Sequence, residues 1–161
     1  MSTPERSDPN WSRRALVGGF LVGFVLLALL IGAATIPRWW AQRIGDQVDG
    51  SITAGVLVGL FYGFVFTALP LIVLAIVLRL RRTWRWIAFG VALALVLAIP
   101  NLMTLGIVLG TGNAAHAGER ILDVEAPAFR GAALAGALIA VALAAFVGYA
   151  LVSRRPATRD P

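Results

Sequence analysis

Residues 52–78 read ITAGVLVGLFYGFVFTALPLIVLAIVL, and none of them is Asp, Glu, Lys, Arg or His. Three further stretches, residues 15–36, 87–109 and 131–152, also lack all five of these residue types. Each stretch exceeds the roughly 20 apolar residues that an α-helix needs to cross the hydrocarbon core of a bilayer. The sequence therefore predicts an all-α, polytopic membrane protein whose four transmembrane helices form an antiparallel bundle.

The four stretches take up most of the 161 residues, so the segments outside them are too short for a separate soluble domain. We therefore expect residues 1–161 to form a single transmembrane domain. The polar ends, residues 1–12 and 154–161, contain four of the eight prolines and are predicted to be disordered. The chain contains no Cys, which excludes disulfides and thiolate metal sites.

The arginines are distributed unevenly between the two sides of the predicted membrane. The N-terminal segment, the second connection and the C-terminal tail together hold ten Arg, and the first and third connections hold four. Because cytoplasmic segments carry the excess of basic residues, this predicts that both termini are cytoplasmic. The basic clusters flank the spans, which favours contact with a lipid bilayer and argues against a nucleic-acid partner.

The composition indicates which membrane the protein belongs to. All 14 basic residues are Arg, and Ala, Gly, Val and Leu are abundant, which is typical of a GC-rich bacterial genome. We therefore expect the bacterial cytoplasmic (inner) membrane. Arg13 and Arg14 resemble a twin-arginine export signal, but the apolar stretch after them is longer than the 7–15 residues of a signal sequence. The first span is predicted to be retained.

Small residues recur at four-residue spacing in three of the predicted helices. They are Gly19 and Gly23 in the first, Gly55, Gly59 and Gly63 in the second, and Ala132, Gly136, Ala140, Ala144 and Gly148 in the fourth. Such faces let two helix backbones approach closely in lipid. They predict helix-packing interfaces, either within the chain's own bundle or with another protein or a second copy.

The polar and helix-breaking residues deep in the spans form a second candidate site: Thr67, Pro70, Pro100, Asn101 and Thr104. Spans two and three are joined by a short basic connection, so these residues are expected at similar depths. One interpretation is a small polar cavity. The other is that Thr and Asn satisfy the carbonyl groups left without a donor by the two prolines.

The remaining connections contain few residues that could bind a metal or catalyse a reaction. His116 and Glu119 are spaced to bind a metal if residues 110–130 were helical, but a solvated amphipathic loop is the simpler interpretation. We expect this loop and the first connection, residues 37–51, to pack against each other as a small cap. The spans contain no acid, His or Cys, so no catalytic residue, cofactor site or metal site is predicted and the protein is not expected to be an enzyme.

Two short segments, Ile36-Pro37-Arg38-Trp39-Trp40 and Leu122-Asp123-Val124-Glu125-Ala126-Pro127, together with the four-span plan, resemble small uncharacterised four-span actinobacterial membrane proteins often labelled "permease". The resemblance implies an actinobacterial inner membrane and adds weight to transport, but it carries no functional residues with it. The first functional hypothesis is an accessory or scaffold subunit that binds a membrane protein or itself through the Gly/Ala faces. The alternative is a permease-like homo-oligomer that passes a small neutral or hydrophobic solute without proton coupling.

Overall fold

The computed structural model describes residues 9–80 and 83–153, and this part of the chain is helical, without strands. Its helices are α1 (Pro9–Val48), α2 (Ile52–Arg79), α3 (Trp84–Leu109), α4 (Asn113–Glu125) and α5 (Phe129–Ser153). All except α4 are long and apolar enough to cross a membrane, with mean hydropathies of 2.3 to 2.6. The prediction of an all-α chain with four such helices is therefore confirmed, but two predicted loops need correction.

The first correction concerns residues 37–51, which are helical as far as Val48 and continue α1. Pro37 lies inside the helix, where it removes only one backbone donor. The continuation buries a stripe of apolar side chains at helical spacing: Trp40, Ala41, Ile44 and Val48. The helix ends where Asp49 and Gly50 adopt left-handed conformations, with φ of 49° and 70°. Glycine adopts this conformation without strain, which favours a sharp turn here.

The second correction concerns residues 110–130, where the predicted loop contains α4. Its buried face is formed by Ala114, Ala115, Gly118 and Leu122. These residues recur at helical spacing, so the helix forms by laying this face against the rest of the molecule. A Cβ at Gly118 would lie 3.0 Å from the carbonyl oxygen of Pro37, so the missing side chain permits the close approach of α4 to α1.

The predicted disordered ends are only partly covered by the structure. Residues 9–12 belong to α1, which corrects the prediction for this part of the N-terminal segment. Proline is favoured in the first turn of a helix because its missing N–H would have no partner there, and Pro9 opens α1. Residues 1–8 and 154–161 lie outside the described residues.

Two helices pack closely against α2. It contacts α5 along much of its length and also contacts α3. The start of α2 is capped by Ser51, whose hydroxyl oxygen accepts a hydrogen bond of 3.3 Å from the backbone N–H of Ala54. Pro70 in α2 and Pro100 in α3 both lie inside helices that continue past them.

The best-packed part of the molecule lies where the C-terminal part of α1 meets α4 and the start of α5. We call it the α1–α4 cluster, and its buried members are Trp40, Ala41, Ile44, Val48, Ile107, Leu122, Ala126, Phe129 and Ala133. A backbone hydrogen bond of 2.8 Å from Gly50 N to Glu125 O joins the turn after α1 to the end of α4. The two segments expected to form a cap therefore do pack together, as helices.

The N-terminal part of α1 is packed differently. Every residue from 13 to 31 is exposed, whereas the C-terminal part of the same helix contributes several buried residues to the α1–α4 cluster. Gly32, Ala33, Ile36 and Pro37 then line a wedge of about 490 Å³ against α3 and the start of α4. α1 is thus attached to the other helices at one end and leaves the surface of its apolar stretch free.

Candidate functional site

The small-residue faces of α2 and α5 pack against each other inside the chain. A Cβ at Gly59 would lie 2.5 Å from Phe129 O, and a Cβ at Gly136 would lie 2.5 Å from Leu60 O. Gly55 and Gly63 are likewise pressed against the backbone of α5 or the residues just before it, and Ala140 is buried. These residues therefore form the intramolecular packing interface that the sequence left as one of two alternatives.

The other predicted interface residues have no such neighbours. A Cβ at Gly19, Gly23 or Gly148 would have no described atom outside its own helix backbone within 4 Å. Ala144 on α5 is exposed. The structure thus separates the ten candidate residues into a packed group on α2 and α5 and an open group on α1 and the C-terminal part of α5. Ala132 belongs to the packed group, because a Cβ at Gly59 would lie 2.8 Å from its Cβ.

The predicted polar residues of α2 and α3 do meet. Asn101 donates two hydrogen bonds through Nδ2, one of 2.8 Å to Thr67 Oγ1 and one of 3.2 Å to the carbonyl oxygen of Gly63. In a helix, the carbonyl that loses its donor to Pro70 is that of residue 66, four positions earlier. Because Asn101 bonds to the carbonyl of Gly63, its role is to join α3 to α2.

Thr104 has a different set of partners. Its hydroxyl donates to Pro100 O at 3.0 Å and accepts a 3.0 Å hydrogen bond from the indole Nε1 of Trp40. Thr104 and Trp40 are each 8% exposed. The bond from Trp40 connects the C-terminal part of α1 to the C-terminal part of α3. Together the two bonds use the donor and one acceptor site of the hydroxyl.

A groove of about 390 Å³ opens beside these polar residues. Thr67, Asn101 and Thr104 line it from α2 and α3, and Arg130 lines it from the first turn of α5. Leu105, Val108, Leu134 and Ala137 supply apolar walls. Pro70 and Pro100 are not among its lining residues. Three of the five predicted cavity residues therefore share one concave surface.

Arg130 is held by two acids of α4. Its Nη1 lies 3.2 Å from Glu119 Oε1, and its Nη2 donates a hydrogen bond to Asp123 Oδ1. His116 Nδ1 lies 3.3 Å from the other carboxylate oxygen of Glu119. Among the described residues, no group of three His, Cys, Asp or Glu side chains could hold a metal ion. His116 and Glu119 thus belong to a chain of hydrogen bonds that runs from α4 to Arg130 of α5.

Sequence reasoning missed Trp40 and Arg130 as members of the site. Trp40 follows the end of a predicted span, where indole rings usually lie at the membrane interface. The signal in the sequence was its spacing from Ile44 and Val48, which places all three on one helix face. Arg130 gave no signal, because only the tertiary fold brings it to a groove shared with α2 and α3.

Trp40→Phe is expected to lower the free energy of unfolding by about 1 kcal/mol, because it removes the hydrogen bond to Thr104 and leaves a smaller ring. Thermal unfolding in detergent micelles measures this change. Trp39→Phe is the matched control, because Trp39 is 49% exposed. Equal stability of the two variants would contradict a structural role for the Trp40–Thr104 bond.

Together, the fold and the site define an all-helical protein with four helices able to cross a membrane, an intramolecular glycine interface and a lateral groove with a polar floor. Comparisons with protein-family models, with curated proteins and with solved structures found no match to this chain.

Proposed function

We propose that this protein is a small accessory or scaffold subunit that binds a transmembrane helix of another membrane protein through the exposed face of α1. The observation that carries the proposal is the difference between two similar glycine faces. The face on α2 is packed against α5, whereas Gly19 and Gly23 of α1 have open space around them. In lipid, close packing of small residues is a main source of helix association.

The attachment of α1 supports the same proposal. The helix is fixed at its C-terminal part by the α1–α4 cluster, and residues 13–31 are exposed on every side. A partner helix can therefore reach Gly19 and Gly23 without displacing α2, α3 or α5. A stable anchor beside a free apolar face is the arrangement that a docking helix requires, since the anchor reduces the orientational freedom lost on binding.

The expected orientation of the chain in the membrane gives the depth at which a partner helix would bind. The ten-to-four division of arginines supports an orientation with both termini on the cytoplasmic side of a bacterial inner membrane. The α1–α4 cluster would then lie at the opposite side, and the glycine face of α1 would lie in the cytoplasmic half of the bilayer. Partner helices would pack there, close to Arg13 and Arg14.

A permease-like homo-oligomer for a small neutral solute is the second candidate. The groove beside Thr67 and Asn101 favours it, because polar residues in membrane proteins often face a cavity. It ranks second because Asn101 and Thr104 hydrogen-bond within the chain, which gives them a structural role. A continuous path would need polar groups that remain available to the solute along its length.

The test is affinity purification of the tagged protein from its native membrane in mild detergent, followed by native mass spectrometry. We expect a second protein in stoichiometric amount. Gly19→Leu and Gly23→Leu are expected to lower its retention at least about tenfold, which corresponds to ~1.4 kcal/mol of binding free energy. The added side chains would hold the partner backbone away from α1.

Gly106→Leu is the matched control, because a Cβ at Gly106 of α3 would also have no described atom outside its own helix backbone within 4 Å. It is expected to retain the partner as the wild type does. Equal retention by the α1 variants and the control would refute docking through Gly19 and Gly23. A closed homo-oligomer with no foreign chain would favour the permease and justify solute-flux assays.

A further inference from the structure

The orientation of the Asn101 amide follows from its partners. A backbone carbonyl can only accept a hydrogen bond, so the atom 3.2 Å from Gly63 O is the amide nitrogen. The second N–H of the same group donates to Thr67 Oγ1 at 2.8 Å. Both donors of Asn101 are therefore used, and its remaining polar atom is the acceptor Oδ1.

The Oδ1 atom receives no hydrogen bond from the described part of the chain. In that same part, no buried side-chain nitrogen or oxygen lacks a partner, so Oδ1 is accessible. Asn101 is half-buried and is one of the residues that line the groove, so the groove is the space that this accessible oxygen can reach. A hydrogen-bond acceptor among apolar walls favours an occupant that can donate.

Thr67 supplies the complementary group. Its hydroxyl oxygen accepts from Asn101, and its proton goes to no acceptor among the described residues. By contrast, Thr35 and Thr104 each donate to the carbonyl four residues earlier in their own helices. The groove floor therefore presents a free acceptor on Asn101 and a free donor on Thr67, which is the pair that a hydroxyl group needs.

The charge at the groove end disfavours anionic ligands. Among the described residues that line the groove, only Arg130 is charged, and its guanidinium is paired with both Glu119 and Asp123. Two carboxylates thus face one guanidinium, so an anionic headgroup would be repelled by the negative charge of both acids. A neutral ligand meets no such repulsion.

We propose that this groove binds a small neutral, lipid-soluble alcohol. Its hydroxyl donates to Asn101 Oδ1 and accepts from Thr67 Oγ1, while its hydrocarbon part packs on Leu105, Leu134 and Ala137. The volume of about 390 Å³ lies in the range of small-molecule sites, which are also mostly apolar with a few fixed polar groups. The site is separate from α1 and does not depend on the proposed docking function.

Benzyl alcohol and benzyl methyl ether are suitable probes, because they share a ring and differ in the hydroxyl donor. The protein in lipid nanodiscs would be titrated with each while the Asn101 side-chain amide and the Trp40 indole N–H are followed by NMR. The indole reports on the groove wall because it bonds to Thr104. We expect saturable shifts with the alcohol and at least about tenfold weaker binding of the ether.

Thr67→Val keeps the side-chain shape and removes the hydroxyl, so it is expected to abolish the preference for the alcohol without unfolding the protein. Asn101→Leu should do the same, and an unchanged Trp40 indole signal would verify its fold. Thr35→Val is the matched control, because Thr35 is exposed on α1 and donates to Ile31 O.

Three outcomes would overturn the site: equal affinity for alcohol and ether, a preference that survives in both groove variants, or shifts that rise without saturation. The last would mean simple partition of the probe into the bilayer.

Discussion

Gly63→Leu is expected to separate α2 from α5 and to lower the free energy of unfolding by about 3 kcal/mol. A Cβ at this position would overlap the carbonyl group of Ala133 and lie 2.9 Å from its Cα. These are backbone atoms, so no side-chain rotation can make room. The two helices must move apart, and the contacts of Gly59 and Gly136 along the same interface are lost with them.

The measurement is reversible unfolding in mixed detergent micelles, supported by size-exclusion chromatography after heating. Gly19→Leu is the matched control and should lie within about 0.5 kcal/mol of the wild type, because a Cβ there meets no described atom within 4 Å outside its own helix backbone. Equal loss in both variants would mean that the α2–α5 contact does not depend on glycine. The same control verifies that the α1 variants are folded when partner retention is compared.

The positions of the four long helices were predictable because their signal is local. A run without charges and long enough to cross a bilayer needs no knowledge of its neighbours. The sequence also contains a signal for the C-terminal part of α1, since Trp40, Ile44 and Val48 recur at helical spacing. The predicted span ends at residue 36, just before Pro37, whereas α1 continues past it, because a proline removes only one backbone donor of a helix.

The fate of the small-residue faces could not be predicted in the same way. Gly19 and Gly23 have the same four-residue spacing as Gly59 and Gly63, and both pairs lie in apolar helices. Only the tertiary arrangement places one pair against α5 and leaves the other open. The spacing indicates that another helix backbone can approach this face closely, but it carries no information about which helix packs there.

The groove shows the same limit for polar residues. Asn101 and Gly63 are 38 positions apart, and their hydrogen bond depends on how α2 and α3 are rotated about their own axes. The sequence predicted that Thr67, Asn101 and Thr104 would lie at similar depth, and the structure places all three at one groove. The proposed roles of Asn101 Oδ1 and Thr67 could be stated only after their partners were known.

Phe129→Ala is expected to have the largest effect of the apolar substitutions, a loss of about 3–5 kcal/mol in the free energy of unfolding. Phe129 is fully buried in the α1–α4 cluster, and its ring centroid lies 6.2 Å from that of Tyr62 in an edge-on arrangement. Tyr62 in turn donates a 3.2 Å hydrogen bond to Gln47 Oε1 on α1. The cavity left by the ring would therefore weaken the contact of α5 with α2 and also the attachment of α1.

This double role gives the Phe129 variant a specific signature. If the α1–α4 cluster is what anchors α1, its loosening should expose Trp40, shift its fluorescence to longer wavelength and weaken its bond to Thr104. Partner retention should fall as well, because a freely moving α1 loses more orientational entropy on docking. Phe146→Ala removes the same ring from a residue that is 68% exposed on α5 and should change none of these properties. Lower stability with an unchanged Trp40 spectrum would show that α1 is held by contacts other than this cluster.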